Sequence, residues 1–241
     1  ETTGCLGGLF GYIENGGIVN NVNINQSYFY SNEICGTIAA SNNGSVSFCN
    51  SYESYTESYG SHSGIVGEND TTGKVSHCTN ISTIVKASDY AGGIVGYNDG
   101  KIEYCANKQD QDATSGCGGI AGYNGGEITK CYNSGNITSL NGVAGICAQS
   151  VMGKISDCYN VGDIKTNGAS YNVGGIVGTL GNSKYNYIGT IVNCYNYGNV
   201  SSAKVTEKAY PICFVDTGST VSNSYYLDTC VSNGNVNEGA V

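Results

Sequence analysis

The chain has 241 residues and a net charge of −9, with only 12% Asp, Glu, Lys and Arg, 37 Gly, 20 Tyr, one Pro, one Met and neither Trp nor Arg. Such a composition favours strands and tight turns, so almost no α-helix is expected. The acidic balance and the missing guanidinium forks exclude nucleic acid and other phosphate-rich partners, and no apolar run reaches the roughly 18–20 residues of a membrane span, so no membrane insertion is expected.

A phrase recurs along the chain. Its openings are GGLFGY (7–12), GTIAAS (36–41), SGIVGE (63–68), GGIVGY (92–97), GGIAGY (118–123), AGICAQ (144–149), GGIVGT (174–179) and YPICFV (210–215). A turn follows each opening, and then an aliphatic residue three positions before a cysteine: Val46 and Cys49, Val75 and Cys78, Ile102 and Cys105, Ile128 and Cys131, Ile155 and Cys158, Ile191 and Cys194. The cysteines fall 26 to 29 residues apart, apart from a longer step into Cys194. A third element follows, clearest in CYNSGNI (131–137), CYNVGDI (158–164) and CYNYGNV (194–200), where Asn and Gly mark a turn and one aliphatic residue resumes the apolar pattern.

Three aliphatic positions therefore repeat: Leu9, Ile38, Ile65, Ile94, Ile120, Ile146, Ile176 and Ile212; the Val46 to Ile191 set; and Ile84, Ile137, Ile164 and Val200. One repeat cannot bury its apolar side alone, but repeats stacked at about 4.8 Å align each position into a ladder inside a continuous core. The expectation is a right-handed parallel β-helix over residues 1–241, with about eight three-strand coils and a length on the order of 38 Å. The start lacks a charged-then-apolar leader, and EGAV (238–241) resembles the beginning of another opening. The chain thus reads as a segment of a longer protein, or as a unit that self-associates end to end.

GGIVGYNDGKIEYC (92–105) and GGIAGYNGGEITKCYNSGNI (118–137) resemble the bacterial GLUG repeat: Gly-Gly-aliphatic-aliphatic-Gly-Tyr, a turn, an aliphatic residue, then Ser-Tyr before a second Gly. The resemblance covers nearly the whole chain. It implies an extracellular or cell-surface bacterial protein, adhesin-like or related to immunoglobulin A-cleaving peptidases, whose repeats lie outside the catalytic domain. The departure is Cys where the family tends to carry Ser, which only Ser224 in NSYY keeps.

The cysteine column Cys49, Cys78, Cys105, Cys131, Cys158 and Cys194 reads first as stacked buried thiols, because Cys packs as a small apolar residue where Ser would leave a hydroxyl unmatched. Neighbouring rungs lie within disulfide range, so pairing inside the column stays open. Collinear thiols do not make a tetrahedral metal site. Cys5 and Cys35, each just before an opening, are the best disulfide candidate. Asp110 and Asp112 in KQDQDATSG (108–116) are a Ca²⁺ candidate, against the stronger reading of a solvated insertion; no other cofactor is expected. His62 and His77 are the general-base candidates. A Cys78–His77 dyad is rejected because adjacent strand residues point to opposite faces.

Tyr132, Tyr159 and Tyr195 follow column cysteines, with Tyr225 in the same place after Ser224, and with Asn133, Asn160 and Asn196 beside them they are candidates for an outward stripe facing a carbohydrate or protein ligand. The competing reading is that stacked Tyr and Asn stabilise the parallel turns. SYESYTESYGSHSG (51–64) reads as a longer insertion that shields a face or makes contacts. The leading functional expectation is a non-catalytic adhesive or spacer module. An accessory region of a secreted peptidase would have a metal-binding helix such as HExxH elsewhere in its parent, and a polysaccharide-degrading coil would need clustered carboxylates with Lys on one face.

Overall fold

A computed structural model of the chain describes residues 6–87, 89–168, 172–203, 209–216 and 218–230, with backbone alone for 82–87. The chain winds into a parallel β-solenoid of eight turns. Three sheets hold eight strands each, a fourth holds nine, and a fifth holds four. Every pairing between named strands is parallel and most join equivalent residues of successive repeats, as in Val75↔Ile102↔Ile128↔Ile155↔Ile191. The one helical element described is the short 3₁₀ turn Ser183–Tyr185.

The repeat phrase breaks into more pieces than three strands. Ala91–Gly92 belongs to the first sheet and Val95–Asn98 to the second, so Ile94 stands in the corner between them. Lys101–Glu103 belongs to the third sheet, Ala106–Asn107 to the fourth and Gln111–Ala113 to the fifth. In the second and third turns single nine-residue strands, Asn50–Ser58 and Thr79–Ala87, run where later turns carry two short ones. Much of the expected insertion at 51–64 is therefore part of the coil wall. Tyr28–Ser31 pairs with its second half.

The first two aliphatic ladders lie fully buried in one core from Ile38 and Val46 onward. Leu9 is the exception, 50% exposed in the first turn. Into the same core the second sheet sends Val66, Val95, Ala121, Cys147, Val177 and Cys213. Ile137, Ile164 and Val200 instead face a separate, smaller core with Ala113, Cys117, Val143, Val173 and Ala209. The third ladder thus closes a second compartment between the fifth and first sheets. Ile84's side chain is outside what is described.

One residue makes the corner between the third and fourth sheets. Asn21, Phe48, His77, Tyr104, Lys130, Asp157, Asn193 and Asn223 all have φ between 47° and 58°. That left-handed region is unusual for residues other than Gly and Asn, and here it recurs in the position immediately before each column cysteine, and before Val22 and Ser224 in the first and last turns. A single such residue turns the chain sharply enough to start the next parallel strand one residue after the cysteine.

Candidate functional site

Six buried cysteines, Cys49 to Cys194, follow these corners. The backbone N–H of Cys78 reaches Cys105 Sγ at 3.5 Å, that of Cys105 reaches Cys131 Sγ at 3.4 Å, and that of Cys131 reaches Cys158 Sγ at 3.4 Å. Each thiol in turn contacts the carbonyl two residues back, at 3.2 to 3.4 Å from Cys49 Sγ to Ser47 O through Cys194 Sγ to Val192 O. The position therefore asks for a small group that both donates and accepts. Ser224 does the same work: it accepts from Cys194 N–H at 3.2 Å and donates to Ser222 O at 3.0 Å. The expected unmatched serine hydroxyl is thus corrected, since serine is fully matched there.

Hydrogen bonding to Cys78 and burial hold the Cys49 thiol above its ordinary range, and burial does so for Cys131, Cys147 and Cys213. Burial raises Cys35 and Cys117 to about 12. None of these is a poised nucleophile, because the thiolate is the reactive form. Cys35 is buried against Phe29 O, while its expected partner Cys5 lies outside the described residues.

The asparagines take a different place from the one expected. Asn133, Asn160 and Asn196 are fully buried. Their amides form a ladder with Asn80 and Asn107, at 2.9, 2.7, 2.7 and 2.8 Å from each Nδ2 to the next Oδ1. From Asn107 onward each Nδ2 also donates to the carbonyl two residues on, as in Asn133 to Gly135 O at 2.7 Å. A buried amide keeps its hydrogen bonds or costs its desolvation, and stacking at the strand spacing satisfies both ends. These three residues do not face a ligand.

A second buried ladder, which sequence reasoning missed, runs through Asn42, Asn69, Asn98, Asn124 and Ser150 at the ends of second-sheet strands. The signal in the sequence is the Asn that directly follows four of the openings, at Asn42, Asn69, Asn98 and Asn124. A third, exposed ladder links Asp110, Asn136, Asp163 and Asn199, each side-chain oxygen capping the backbone N–H of the next at 2.7 to 3.0 Å. Asp110 is engaged in this way and Asp112 is exposed on its strand. Among the described residues no three His, Cys, Asp or Glu side chains converge.

His62 is buried in the first sheet, with Nε2 2.6 Å from Thr56 Oγ1 and Nδ1 3.2 Å from Ser58 Oγ. Burial lowers its pKa to about 4, so it is a neutral packing group sealed from solvent. His77 is exposed and Cys78 buried, as expected, but the left-handed corner rather than strand alternation separates them. His77 lies between Phe48 and Tyr104, with ring centroids 4.6 and 4.8 Å away, and Lys130 Nζ caps the stack on the Tyr104 hydroxyl at 2.8 Å.

Tyr132 and Tyr159 stack at 5.0 Å and 2°. Tyr159, Tyr195 and Tyr225 are exposed, and the last two line a shallow depression with Asn193 and Asn223. Facing rings cover one another, so this surface offers edges and phenol hydroxyls more than open faces. Exposed Lys74 and Lys101 meet Glu103 at 2.5 and 2.9 Å, which lowers the Glu103 pKa. That is ordinary surface pairing worth little energy.

No family model matches the chain, and no curated protein matches it. Among solved structures, it is similar to the crystal structure named "putative immunoglobulin A1 protease" from Bacteroides ovatus, with a TM-score of 0.58 at 21% identity over 83% of this chain and 67% of that one. At that identity the likeness shows the shared fold alone.

Proposed function

We propose that the chain is a non-catalytic β-solenoid segment of a bacterial secreted or cell-surface protein, built from GLUG-type repeats and serving as an adhesive or spacer module for a carbohydrate or protein ligand. One observation carries this reading. Most of the chain's repeated polar chemistry is spent inside, in amide ladders and buried thiols, while its outer surface carries stacked aromatics such as Tyr132–Tyr159 and Phe48–His77–Tyr104. Catalysis would need the reverse arrangement, with titrating groups gathered in an open cleft.

The test is retention of the 241-residue chain on immobilised mucin, compared with Tyr132→Ser/Tyr159→Ser. The expected outcome is that the double variant keeps its fold and loses about tenfold in retention, as aromatic anchors do. Equal retention, or hydrolysis of the immobilised ligand by the chain, contradicts the reading. The fold likeness to the Bacteroides ovatus protein over 83% of the chain favours a second reading, an accessory repeat region of a secreted immunoglobulin A-type peptidase. It requires a parent polypeptide with a separate peptidase domain, which the complete gene sequence decides.

A further inference from the structure

Along one side of the solenoid the fifth sheet hands the chain back to the first, and beside the second sheet this leaves a cleft of about 270 Å³. Its walls are the return loops Ser115–Gly116 and Asn141–Gly142, with Asp89 and Tyr90 at one end and Ala148, Gln149 and Thr179 along the other side. We infer that this cleft binds a neutral pyranose unit of a glycan. The inference deepens the ligand-presenting reading above and rests on it.

Tyr90 is the anchor. Tyr97 and Tyr123 stack on each other at 4.3 Å and 6°, so each covers a face of its neighbour. Tyr90 meets them at 62° and 56° instead, so neither ring stacks in parallel on its face. A pyranose presents a C–H face that packs on such a ring and a rim of hydroxyls that needs both donors and acceptors. The cleft has that mixture. The Tyr90 hydroxyl donates to Gln149 Oε1 at 3.2 Å, which fixes the amide and leaves it two N–H donors to offer. Thr179 Oγ1 accepts from Asn172 Nδ2 at 3.1 Å and retains its own proton to donate. Asp89 and Asn141 add acceptors.

Charge decides the ligand class. Lys is absent from the lining, which contains a carboxylate, and the acid groups of this face, Glu68, Asp89 and Asp99, are all raised by burial and, for Glu68 and Asp99, by one another or Asp70. Sialylated, uronic or sulfated sugars would enter against like charge, whereas a neutral ring does not. A peptide added as a strand is disfavoured as well, because the backbone around the cleft is already paired: Ala91 N–H bonds Gly116 O at 2.8 Å and Cys117 N–H bonds Gly142 O at 2.9 Å. The volume suits roughly one or two sugar rings at the small end of ligand sites.

The test is saturation-transfer NMR and calorimetry of the full chain with glucose, galactose, mannose, N-acetylglucosamine and their short oligomers, and with sialic and glucuronic acids as the charged set. At least one neutral sugar is expected to bind and the acids to bind more weakly. Tyr90→Ala is expected to lose about tenfold in affinity and Tyr90→Phe only a few-fold, since the ring is kept. Gln149→Leu, on the outer face of its strand, gives a second readout should Tyr90→Ala misfold. Absence of binding by every neutral sugar, preference for the acids, or unchanged affinity in folded Tyr90→Ala and Gln149→Leu overturns the inference. Sugar binding lost in Tyr132→Ser/Tyr159→Ser but kept in Tyr90→Ala also overturns it, while leaving the adhesive reading intact.

Discussion

A β-carbon added at Gly119 would sit 2.3 Å from Gly145 O and 2.5 Å from Asn133 Cγ. The second glycine of the GG pair is there for space, because the next turn and the amide ladder both press on it. Gly93, Gly145 and Gly175 meet the equivalent atoms of Asn107, Asn160 and Asn196. Gly119→Ala is therefore expected to lower stability by about 1–3 kcal/mol, the usual cost of overpacking, in urea unfolding; an unchanged midpoint would remove the steric account. His62 gives a pH test at the same scale. The unfolded imidazole takes its proton near 6.5 and the folded one only near 4, so the unfolded state binds more protons in between. Stability from neutral His62 is whole above pH 6.5 and is lost as pH falls toward 4, by roughly 3 kcal/mol at 1.36 kcal/mol per unit. The raised carboxyls of Glu68, Asp89 and Asp99 act in the opposite sense, so the measurement is the difference between wild type and His62→Gln across pH 7 to 4. A gap between them that does not change with pH would contradict a buried neutral imidazole.

At the scale of elements, the ladders differ in how far the sequence discloses them. The isoleucine positions are legible because an apolar residue at a fixed place in every repeat has one physical use, a shared core. Asn133, Asn160 and Asn196 recur just as regularly, but a recurrent asparagine is compatible with a turn, a surface or a buried amide stack, and exposure is the commoner state of that residue. Only the 2.7 to 2.9 Å amide contacts separate these uses. The left-handed corner is less legible still, since Phe48, His77, Tyr104, Lys130 and Asp157 share a backbone angle and no side-chain chemistry. Asn133→Ala is expected to strand the Asn107 donor and the Asn160 acceptor and to cost about 2–6 kcal/mol, from about 1–3 for each orphaned group. Denaturant unfolding that places it near zero would mean that the ladder closes around the gap. We expect the column thiols to be reduced, so titration after unfolding without reductant should find most of the twelve cysteines free; near-complete oxidation would replace hydrogen-bonded packing with cross-linking as the reason for cysteine.

For the whole molecule, parallel stacking makes every turn both floor and ceiling for its neighbours. A charge in the middle of a ladder cannot be relieved by moving outward, so Ile120→Asp, at a fully buried position, is expected to cost several kcal/mol and to be read as loss of the β-sheet circular-dichroism signal at lowered temperature. The eight-turn coil was legible from the period of the phrase. The second core and the Tyr90 cleft were not, because both arise where the return loops place residues of unequal spacing side by side, as Tyr90 and Gln149 are. The repeated asparagines hold the coil, which is why ligand contact is proposed for the aromatic surface instead. Side-chain amide hydrogen exchange by NMR measures that enclosure. The Nδ2 protons of Asn107, Asn133 and Asn160 are expected to exchange orders of magnitude more slowly than those of exposed Asn186, whereas exchange of all four at the same rate would put the asparagines on the surface and contradict the account.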